Sequence, residues 1–228
     1  NEEAVGRVVN VGSGRETSVG DLAASILSLV GRDLPIVLDD ARGGLSGGAD
    51  PRHLLWVIVE EVGLDKLKSL VTVPLSHLKL APFYGCYILR PTNALDFQDN
   101  PERQSSLERL IETLGATVVD FAGKTRCCGF PILTINEKNS MAMVGKHTAE
   151  AKDLGADAMV TPCPLCHLNL DAFQPKASAQ AQRSIDLPII HMPQAIGLAM
   201  GITPKDLGLQ RHIVSTKALI TKLGVAAG

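Results

Sequence analysis

The sequence predicts an α/β fold in which a Rossmann-like parallel sheet is flanked by helices and preceded by a small α/β appendage. From residue 79 onward, short apolar runs alternate with segments of helical periodicity, and this order repeats along the chain. Such alternation predicts parallel strands joined by right-handed crossovers, with helices on both faces of the sheet. Hydrophobic residues make up 45% of the 228 positions, a share typical of a globular protein.

Capping residues mark the first two strand–helix units. Residues 80–87 predict a strand, and residues 105–108 predict a capping box that opens a helix. Residues 116–121 predict the second strand, and residues 134–137 predict a second capping box, whose helix ends before Gly155. The same strand–helix unit therefore occurs twice in succession.

Two shorter units complete the predicted sheet. Residues 158–161 predict a third strand, which a short helix at residues 164–171 follows. Residues 187–192 predict a fourth strand, and a helix runs from Pro193 to about Met200. The carboxyl ends of all these strands are expected at one edge of the sheet.

The amino-terminal residues form a separate pattern. Residues 8–11 predict a strand, residues 18–31 a capped helix and residues 36–38 another strand. A glycine-rich stretch follows, and Asp50 with Pro51 predicts the start of a new helix. We therefore place an amino-terminal domain, a linker and a main domain at residues 1–43, 44–50 and 51–228.

The charge balance argues against several classes of partner. The chain has 22 basic and 24 acidic residues, for a formal net charge of −2. This balance supplies no positive surface for nucleic acid or anionic lipid. The most apolar stretch, residues 187–202, contains a histidine and two prolines and is too short to cross a bilayer. We expect neither a nucleic-acid nor a membrane partner.

The cysteines carry the functional signal. They occur as a single residue, an adjacent pair and a CxxC motif: Cys86, Cys127, Cys128, Cys163 and Cys166. An odd number argues against a secreted disulfide framework and favours a reduced, cytoplasmic setting. The single cysteine lies near the carboxyl end of the first predicted strand, the adjacent pair follows the second strand, and the CxxC motif follows the third. Ligands of open α/β sheets gather at the carboxyl ends of strands. We expect all five thiols at one sheet edge.

The chemistry of these thiols indicates a metal centre. Thiolates are soft ligands, and CxxC spacing lets two sulfurs face one centre. Four thiolates suffice for a tetrahedral zinc or a cubane cluster, so a fifth indicates a spare ligand or a larger, unusual cluster. From the residues alone, three interpretations stay open: an iron–sulfur cluster, structural zinc, and a thiol–disulfide pair or inert thiols.

Several short stretches match one known family. They are Phe-Tyr-Gly-Cys at 83–86, Arg-Pro at 90–91, Cys-Cys-Gly at 127–129, Gly-Ala-Asp at 155–157, Cys-Pro-Leu-Cys at 163–166, Asn-Leu-Asp at 169–171 and Gly-Leu-Ala at 197–199. Through them, residues 52–224 resemble the carboxyl-terminal half of the CoB-CoM heterodisulfide reductase subunit that carries the cysteine-rich CCG domain.

The resemblance implies a cofactor, an activity and partners. The five thiolates are expected to hold a non-cubane [4Fe-4S] cluster, and the chain is expected to be an oxidoreductase subunit that passes single electrons to a disulfide. The sequence shows neither a flavin motif nor a ferredoxin-type run of cysteines. We therefore expect an iron–sulfur electron-donor subunit and a flavin subunit as partners in a cytoplasmic complex, and a disulfide or thiol as substrate.

The chain departs from this family in its first part. Family members have two CCG halves in tandem, whereas this chain has one, and a homodimer is one way to supply the missing half. Residues 1–43 instead resemble the carboxyl-terminal part of extended short-chain dehydrogenases that act on nucleotide sugars, through residues 6–14 and 18–22. Thr17 stands where a dinucleotide loop has its third glycine, so we expect no NAD binding there.

Other residues near the thiols have structural alternatives. His191, at the end of the fourth strand, is a candidate donor to the cluster or a proton source, and the alternative is a hydrogen-bonded core histidine. His167 is expected to point away along the short helix. Arg90 is a candidate for binding a carboxylate or phosphate, although a salt bridge or helix cap is the commoner role. Met141 and Met143 are expected to fill the core.

Two rival functions stay open. One is a structural or electron-relay CCG module that holds zinc or a cluster without turnover of its own; such a relay leaves every tested disulfide intact. The other is a nucleotide-sugar dehydratase or epimerase fragment, named from residues 1–43, which predicts measurable affinity for nucleotide sugars.

Overall fold

The computed structural model describes residues 53–90 and 100–224. The chain divides into two compact units, one ending at Leu70 and the other beginning at Val71. The linker predicted at residues 44–50 lies outside the described residues, so that domain boundary stays a prediction.

The described part of the first unit is helical. The ring Nδ1 of His53 accepts a hydrogen bond from the backbone N–H of Leu55 at 3.2 Å and caps the first turn. The helix start predicted at Asp50 and Pro51 lies outside the described residues. The elements are α1 (Leu54–Trp56), a π-helical stretch (Val57–Gly63) and α2 (Leu64–Ser69).

The second unit is built around a four-stranded parallel sheet. The strands are β1 (Lys79–Pro82), β2 (Thr117–Val118), β3 (Ala158–Thr161) and β4 (Ile189–His191). Their spatial order is β2-β1-β3-β4, with Leu80 of β1 paired to Val118 and to Ala158, and Met159 paired to Ile189. The predicted α/β class with a parallel sheet is confirmed.

Helices connect the strands and pack against them. The α-helices are α3 (Pro101–Gln104), α4 (Ser106–Thr113), α5 (Glu137–Asp153), α6 (Pro164–Ala172), α7 (Gln174–Gln180), α8 (Met192–Ala199) and α9 (Lys217–Leu223). Short 3₁₀ turns lie at Ala122–Thr125, Phe130–Ile132 and Leu209–Arg211. Among the residues described, no helix is long and apolar enough to cross a membrane.

A hydrophobic cluster joins one face of the sheet to the helices beside the cysteines. Ala81, Met159 and Ile189, from three neighbouring strands, are fully buried in it together with Val144 of α5 and Leu170 of α6. Cys128, Cys163 and Cys166 belong to the same cluster. Three of the five thiols are therefore anchored in the core rather than carried on a surface loop.

Three predicted strands are shorter in the structure, among them the fourth, which was expected at residues 187–192 but covers only Ile189–His191. The first was expected at residues 80–87 but ends at Pro82, and Gly85 then adopts a φ of +76°, which turns the chain out of the extended region. The second was expected at residues 116–121 but covers only Thr117–Val118. Cys86 consequently lies in a turn beyond β1 and not within the strand.

The two predicted capping boxes are also corrected. Helix α5 is capped by Asn136, whose side chain accepts a hydrogen bond from the Asn139 N–H at 3.1 Å, and not by the box at residues 134–137. Ser105 occupies the N-cap position of α4 but forms no side-chain cap bond. Asn100 caps the preceding short helix instead. An asparagine therefore provides the side-chain cap in both regions, in place of the predicted serine or threonine.

Candidate functional site

The strand order creates a crevice at the carboxyl edge of the sheet. β1 and β3 are neighbours in the sheet. The chain goes from β1 to β2 on one side of this pair and from β3 to β4 on the other side, so it leaves the two strands in opposite directions. Ligands of open α/β sheets bind at such a point. Cys86 lies just beyond β1, and Cys163 lies two residues beyond β3, so both flank this crevice.

The CxxC motif begins helix α6. Cys163 is the N-cap residue and Pro164 stands at the first helical position, where proline fits the backbone without losing a hydrogen bond. One turn of helix then brings Cys166 to the same side. The Cys166 thiol lowers the pKa of Cys163. The backbone N–H groups of Cys166 and Leu165 lower it further, because they point toward the Cys163 sulfur, although neither forms a cap hydrogen bond with it.

The loop that carries Cys86 lies against this helix. Gly85 has a φ of +76°, and a Cβ built on it would come within 2.5 Å of the Cys166 sulfur. Only glycine allows both the left-handed backbone and this approach. The backbone of the first cysteine loop therefore touches the second cysteine of the CxxC motif.

The adjacent cysteines follow β2 and the 3₁₀ turn Ala122–Thr125. Gly129, the next residue, has a φ of +95°, and a Cβ there would lie 2.9 Å from the Ser140 Oγ and 3.0 Å from the Ser140 Cα. Its N–H donates to the Cys127 sulfur at 3.4 Å. The third residue of the Cys-Cys-Gly stretch is therefore pressed against helix α5.

The structure brings the five thiols of the three loops into mutual contact or electrostatic range. The Cys166 thiol interacts with those of Cys128 and Cys163, and the Cys86 thiol interacts with that of Cys127. The neighbouring sulfurs of Cys128 and Cys163, and then burial, raise the pKa of Cys166. Burial, and secondarily the Cys127 thiol, raises the pKa of Cys86 to about 11.

The thiols differ in exposure. Cys128, Cys163 and Cys166 are buried, whereas Cys86 and Cys127 are partly exposed, and all five are unbridged. Within residues 53–90 and 100–224, no three His, Cys, Asp or Glu side chains already enclose a position for a metal ion. The donor set nevertheless fits a thiolate-ligated group, because five soft ligands from three loops meet at one edge.

A partly buried polar network joins the first two cysteine loops. The Tyr84 hydroxyl donates to a Glu108 carboxylate oxygen and accepts from the Leu107 N–H at 2.9 Å. Lys124 contacts the other Glu108 oxygen at 2.8 Å, and its own carbonyl accepts from the Tyr84 N–H at 2.8 Å. Burial, and then the Glu108 charge, raises the pKa of Tyr84. Tyr84 precedes Cys86 by two residues, so this network links the loop of Cys86 to the turn that leads to Cys127.

Two further side chains hold the cysteine pair, and no sequence pattern singled out a role for either. The Nε2 of His147, on α5, lies 3.1 Å from the Cys127 carbonyl oxygen. The Asn169 amide, on α6, donates to the Cys128 carbonyl at 2.8 Å. Asn169 belongs to one of the stretches that resemble the CCG-domain family, but that resemblance does not say what the side chain does. His147 lies in none of those stretches.

His191 and His167 are both engaged with backbone. The Nε2 of His191 lies 3.3 Å from the carbonyl of Pro162, directly before Cys163, and its ring takes part in a capping box with Gln194. The Nε2 of His167 lies 3.2 Å from the Ile189 carbonyl, and burial lowers its pKa to about 4. These contacts describe hydrogen-bonded histidines behind the CxxC loop, and a cluster-donor role for His191 stays a prediction.

The remaining candidates are placed more simply. Met141 is buried in the hydrophobic cluster, and Met143 is half-buried on the same helix. Arg90 is exposed, and its backbone N–H donates to the Cys86 carbonyl at 3.0 Å. The short-chain-dehydrogenase resemblance and Thr17 lie outside the described residues.

Comparison with known proteins agrees with this geometry. Residues 80–171 match the model of the family described as CCG, cysteine-rich domain. That range begins in β1 and ends near the end of α6, so it includes all five cysteines.

Curated relatives extend the match beyond this range. The 8-methylmenaquinol:fumarate reductase membrane anchor subunit of Wolinella succinogenes is 39% identical over 81% of this chain and 63% of its own length. A subunit of the ferredoxin/F(420)H(2)-dependent CoB-CoM heterodisulfide reductase of Methanosarcina acetivorans is 31% identical over 78% and 59%. The chain thus spans about three fifths of the length of these relatives.

Among solved structures, a hypothetical protein from Helicobacter pylori matches with a TM-score of 0.51 at 18% identity, over 67% of this chain and 28% of that chain. This likeness concerns the fold alone. The cysteine pattern, the sheet edge where the thiols meet and the matched family model agree with one another. Residues 80–171 of this chain therefore belong to the cysteine-rich CCG-domain family.

Proposed function

We propose that this chain is an electron-transferring subunit of a heterodisulfide reductase-like oxidoreductase, in which five cysteines hold a non-cubane [4Fe-4S] cluster that serves disulfide reduction. The observation that carries the proposal is the convergence of the thiols from three separate loops on one sheet edge. Supporting it, relatives over most of this chain are named as subunits of heterodisulfide reductases. The ligands are Cys86, Cys127, Cys128, Cys163 and Cys166.

The environment of the thiols suits a bound metal group. Metal ligands must be thiolates, and the lowered pKa of Cys163 favours its deprotonation. The pKa of Cys166 is raised by its contacts with the Cys128 and Cys163 sulfurs, so this thiol gives up its proton when a cation replaces those contacts, whereas the contact with Cys166 lowers the pKa of Cys128. Loading with metal should therefore release protons and be favoured at higher pH.

The exposure of the thiols suggests where substrate approaches. The three buried thiols form the inner side of the site, while Cys86 and Cys127 lie on the outer side. Tyr87, next to Cys86, exposes 55% of its surface. We propose that a disulfide substrate reaches the site from this outer side.

The chemistry requires a supply of electrons. Cleavage of a disulfide to two thiols consumes two electrons and two protons. When bound, a thiolate-ligated iron–sulfur group supplies one-electron transfer. The chain holds that group through its thiols, and an iron–sulfur donor subunit with a flavin subunit would deliver the electrons, one at a time. In a homodimer, the second copy of the chain would supply a second CCG half.

Metal analysis tests the proposal directly. Anaerobically purified protein is analysed for iron, zinc and acid-labile sulfide, and its EPR spectrum is recorded with and without a thiol. About four irons and a paramagnetic signal that the thiol alters support the proposal. One zinc without iron or sulfide would mean a structural CCG domain.

Single substitutions test the ligand set. We expect Cys127→Ser and Cys128→Ser to lose most of the bound iron, because each removes a ligand. Met141→Leu should keep its iron, because it exchanges one buried apolar side chain for another of similar volume. Equal iron in all three proteins would refute the five-ligand assignment.

A second function is favoured by one relative. The Wolinella succinogenes protein, 39% identical, is named as a subunit of a fumarate reductase and not of a disulfide reductase. A CCG module that relays electrons, or shapes a subunit interface, fits that name. Its signature is a redox-active cluster in a chain that leaves every tested disulfide intact.

A further inference from the structure

We propose that His147 and Asn169 are positioning residues that hold the backbone of the adjacent cysteines, and thereby aim both thiols at the same site. This inference rests on the proposed function insofar as the thiols bind a metal group. It concerns two side chains outside the cysteine motifs, one on α5 and one on α6.

Adjacent cysteines face a geometric problem. Successive side chains of an extended segment point to opposite sides, so two neighbouring thiols reach one site only if the backbone between them is turned and kept turned. The Cys127 thiol interacts with that of Cys86, and the Cys128 thiol with that of Cys166. The loop of Cys86 also approaches the Cys166 sulfur so closely that a Cβ on Gly85 would lie 2.5 Å from it, so the two thiols of the pair belong to one site. Something must therefore fix the peptide groups of this pair.

The two side chains fix successive carbonyl groups. The Cys127 carbonyl can only accept, so the contact with the Nε2 of His147 at 3.1 Å makes that nitrogen the N–H donor. The Cys128 carbonyl accepts from the Nδ2 of Asn169 at 2.8 Å. Each cysteine of the pair therefore has its carbonyl oxygen bound by a buried side chain from a different helix.

Burial makes these two contacts strong constraints. His147 is 4% exposed and Asn169 is fully buried. The Nδ1 of His147 and the Oδ1 of Asn169 are both buried without a hydrogen-bond partner among the described residues. The His147 ring bonds the Cys127 carbonyl, and the shorter of the two bonds that the Asn169 amide donates goes to the Cys128 carbonyl, the other going to the Ser140 Oγ at 3.5 Å.

Neighbouring residues leave room for this arrangement. A Cβ at Gly123 would lie 2.5 Å from the Nδ1 of His147, so glycine is required for the ring to reach the Cys127 carbonyl. The ring also packs beside Phe83, with centroids 5.5 Å apart. On the other side, Gly129 is pressed against Ser140, which itself lies 3.5 Å from the Asn169 amide. The pair is thus held from both helices.

The test compares donor removal with a matched structural loss. Asn169→Leu and His147→Leu remove the donors, and His147→Gln keeps an N–H at a similar reach. The control is Gln174→Met, because Gln174 is also buried and its amide bonds backbone carbonyls, at Leu170 and Leu187, away from the cysteines. Urea unfolding of each variant measures its general loss of stability.

Metal retention is the first readout. In iron-loaded protein we expect both leucine variants to release iron to a chelator at least about tenfold faster than wild type, with an altered EPR line shape. His147→Gln should restore most of the retention, and Gln174→Met should keep it at a comparable urea midpoint. Release rates that simply follow the urea midpoints would overturn the proposal.

A metal-free readout separates this inference from the proposed function. In metal-free protein, alkylation of Cys128 relative to Cys166 is measured by mass spectrometry, since both thiols are equally buried. Asn169→Leu should raise that ratio at least about tenfold, and Gln174→Met should leave it unchanged. If wild type binds no iron, the proposed function fails, and this ratio alone then supports or refutes the positioning role.

Discussion

The CxxC motif and the Cys127–Cys128 pair reach the same site by different means. The CxxC thiols are placed by one turn of helix, which Cys163 caps and Pro164 opens. The adjacent pair lies between two short 3₁₀ turns and within neither, and it depends on contacts from α5 and α6, made by His147 and Asn169. One half of the site is therefore encoded locally, and the other half is encoded by the packing of the whole domain.

This difference predicts where the site is vulnerable. The backbone hydrogen bonds of the helix keep the CxxC thiols in place when a neighbouring residue is substituted. The positions of the Cys127 and Cys128 thiols depend instead on contacts with residues that are distant in sequence. Substitutions at glycines, substitutions in the polar network and a change of pH each test a different part of this difference between the CxxC motif and the cysteine pair.

The largest effect is expected at the glycine that follows the pair. Gly129→Ala combines a φ of +95° with a Cβ 3.0 Å from the Ser140 backbone, so we expect it to lower the free energy of unfolding by about 3 kcal/mol, from backbone strain plus overpacking. Gly155→Ala has a similar φ of +83° but open space, and should cost only about 1 kcal/mol. Urea unfolding measures both, and equal losses would show that the contact with α5 does not constrain the pair.

A smaller effect is expected in the network that joins the first two loops. Tyr84→Phe leaves the Leu107 N–H without its acceptor and removes a donor to Glu108, so we expect a loss of about 1–2 kcal/mol. Tyr87→Phe, at a side chain that is 55% exposed, should change stability by less than about 0.5 kcal/mol. Thermal unfolding compares them, and a neutral Tyr84→Phe would mean that the loops are held by backbone contacts alone.

The smallest change needs no substitution. The pKa of Cys163 is lowered, chiefly by the Cys166 thiol, whereas burial raises the pKa of Cys86 to about 11. As pH rises, Cys163 should therefore form its thiolate first, although it is the more buried of the two. The pH profile of iodoacetamide alkylation in metal-free protein, read peptide by peptide, tests this order. A Cys86 midpoint at or below that of Cys163 would contradict it.

The sequence predicts much of this fold but only part of its site. Hydrophobic periodicity predicts the strands and helices of the parallel sheet, and Pro164 after Cys163 predicts the start of α6. Both predictions succeed because these features are set by residues close together in sequence. The end of β1 was predicted too late, since the turn at Gly85 is set by its approach to Cys166. His147 could not be assigned a role, because its partner, Cys127, is twenty residues away in sequence and is found only through packing.

The close approach of Gly85 to Cys166 also bears on how the chain matures. The two residues are far apart in sequence, and contacts of that separation form late, after the loop between them has been closed at an entropic cost. An emerging chain would expose its first three cysteines well before Cys163 and Cys166 are synthesised. The ligand set is completed only by folding, so the order of events is expected to be collapse of the sheet first and acquisition of metal second. A cell that makes this protein must therefore keep its early thiols reduced during that interval.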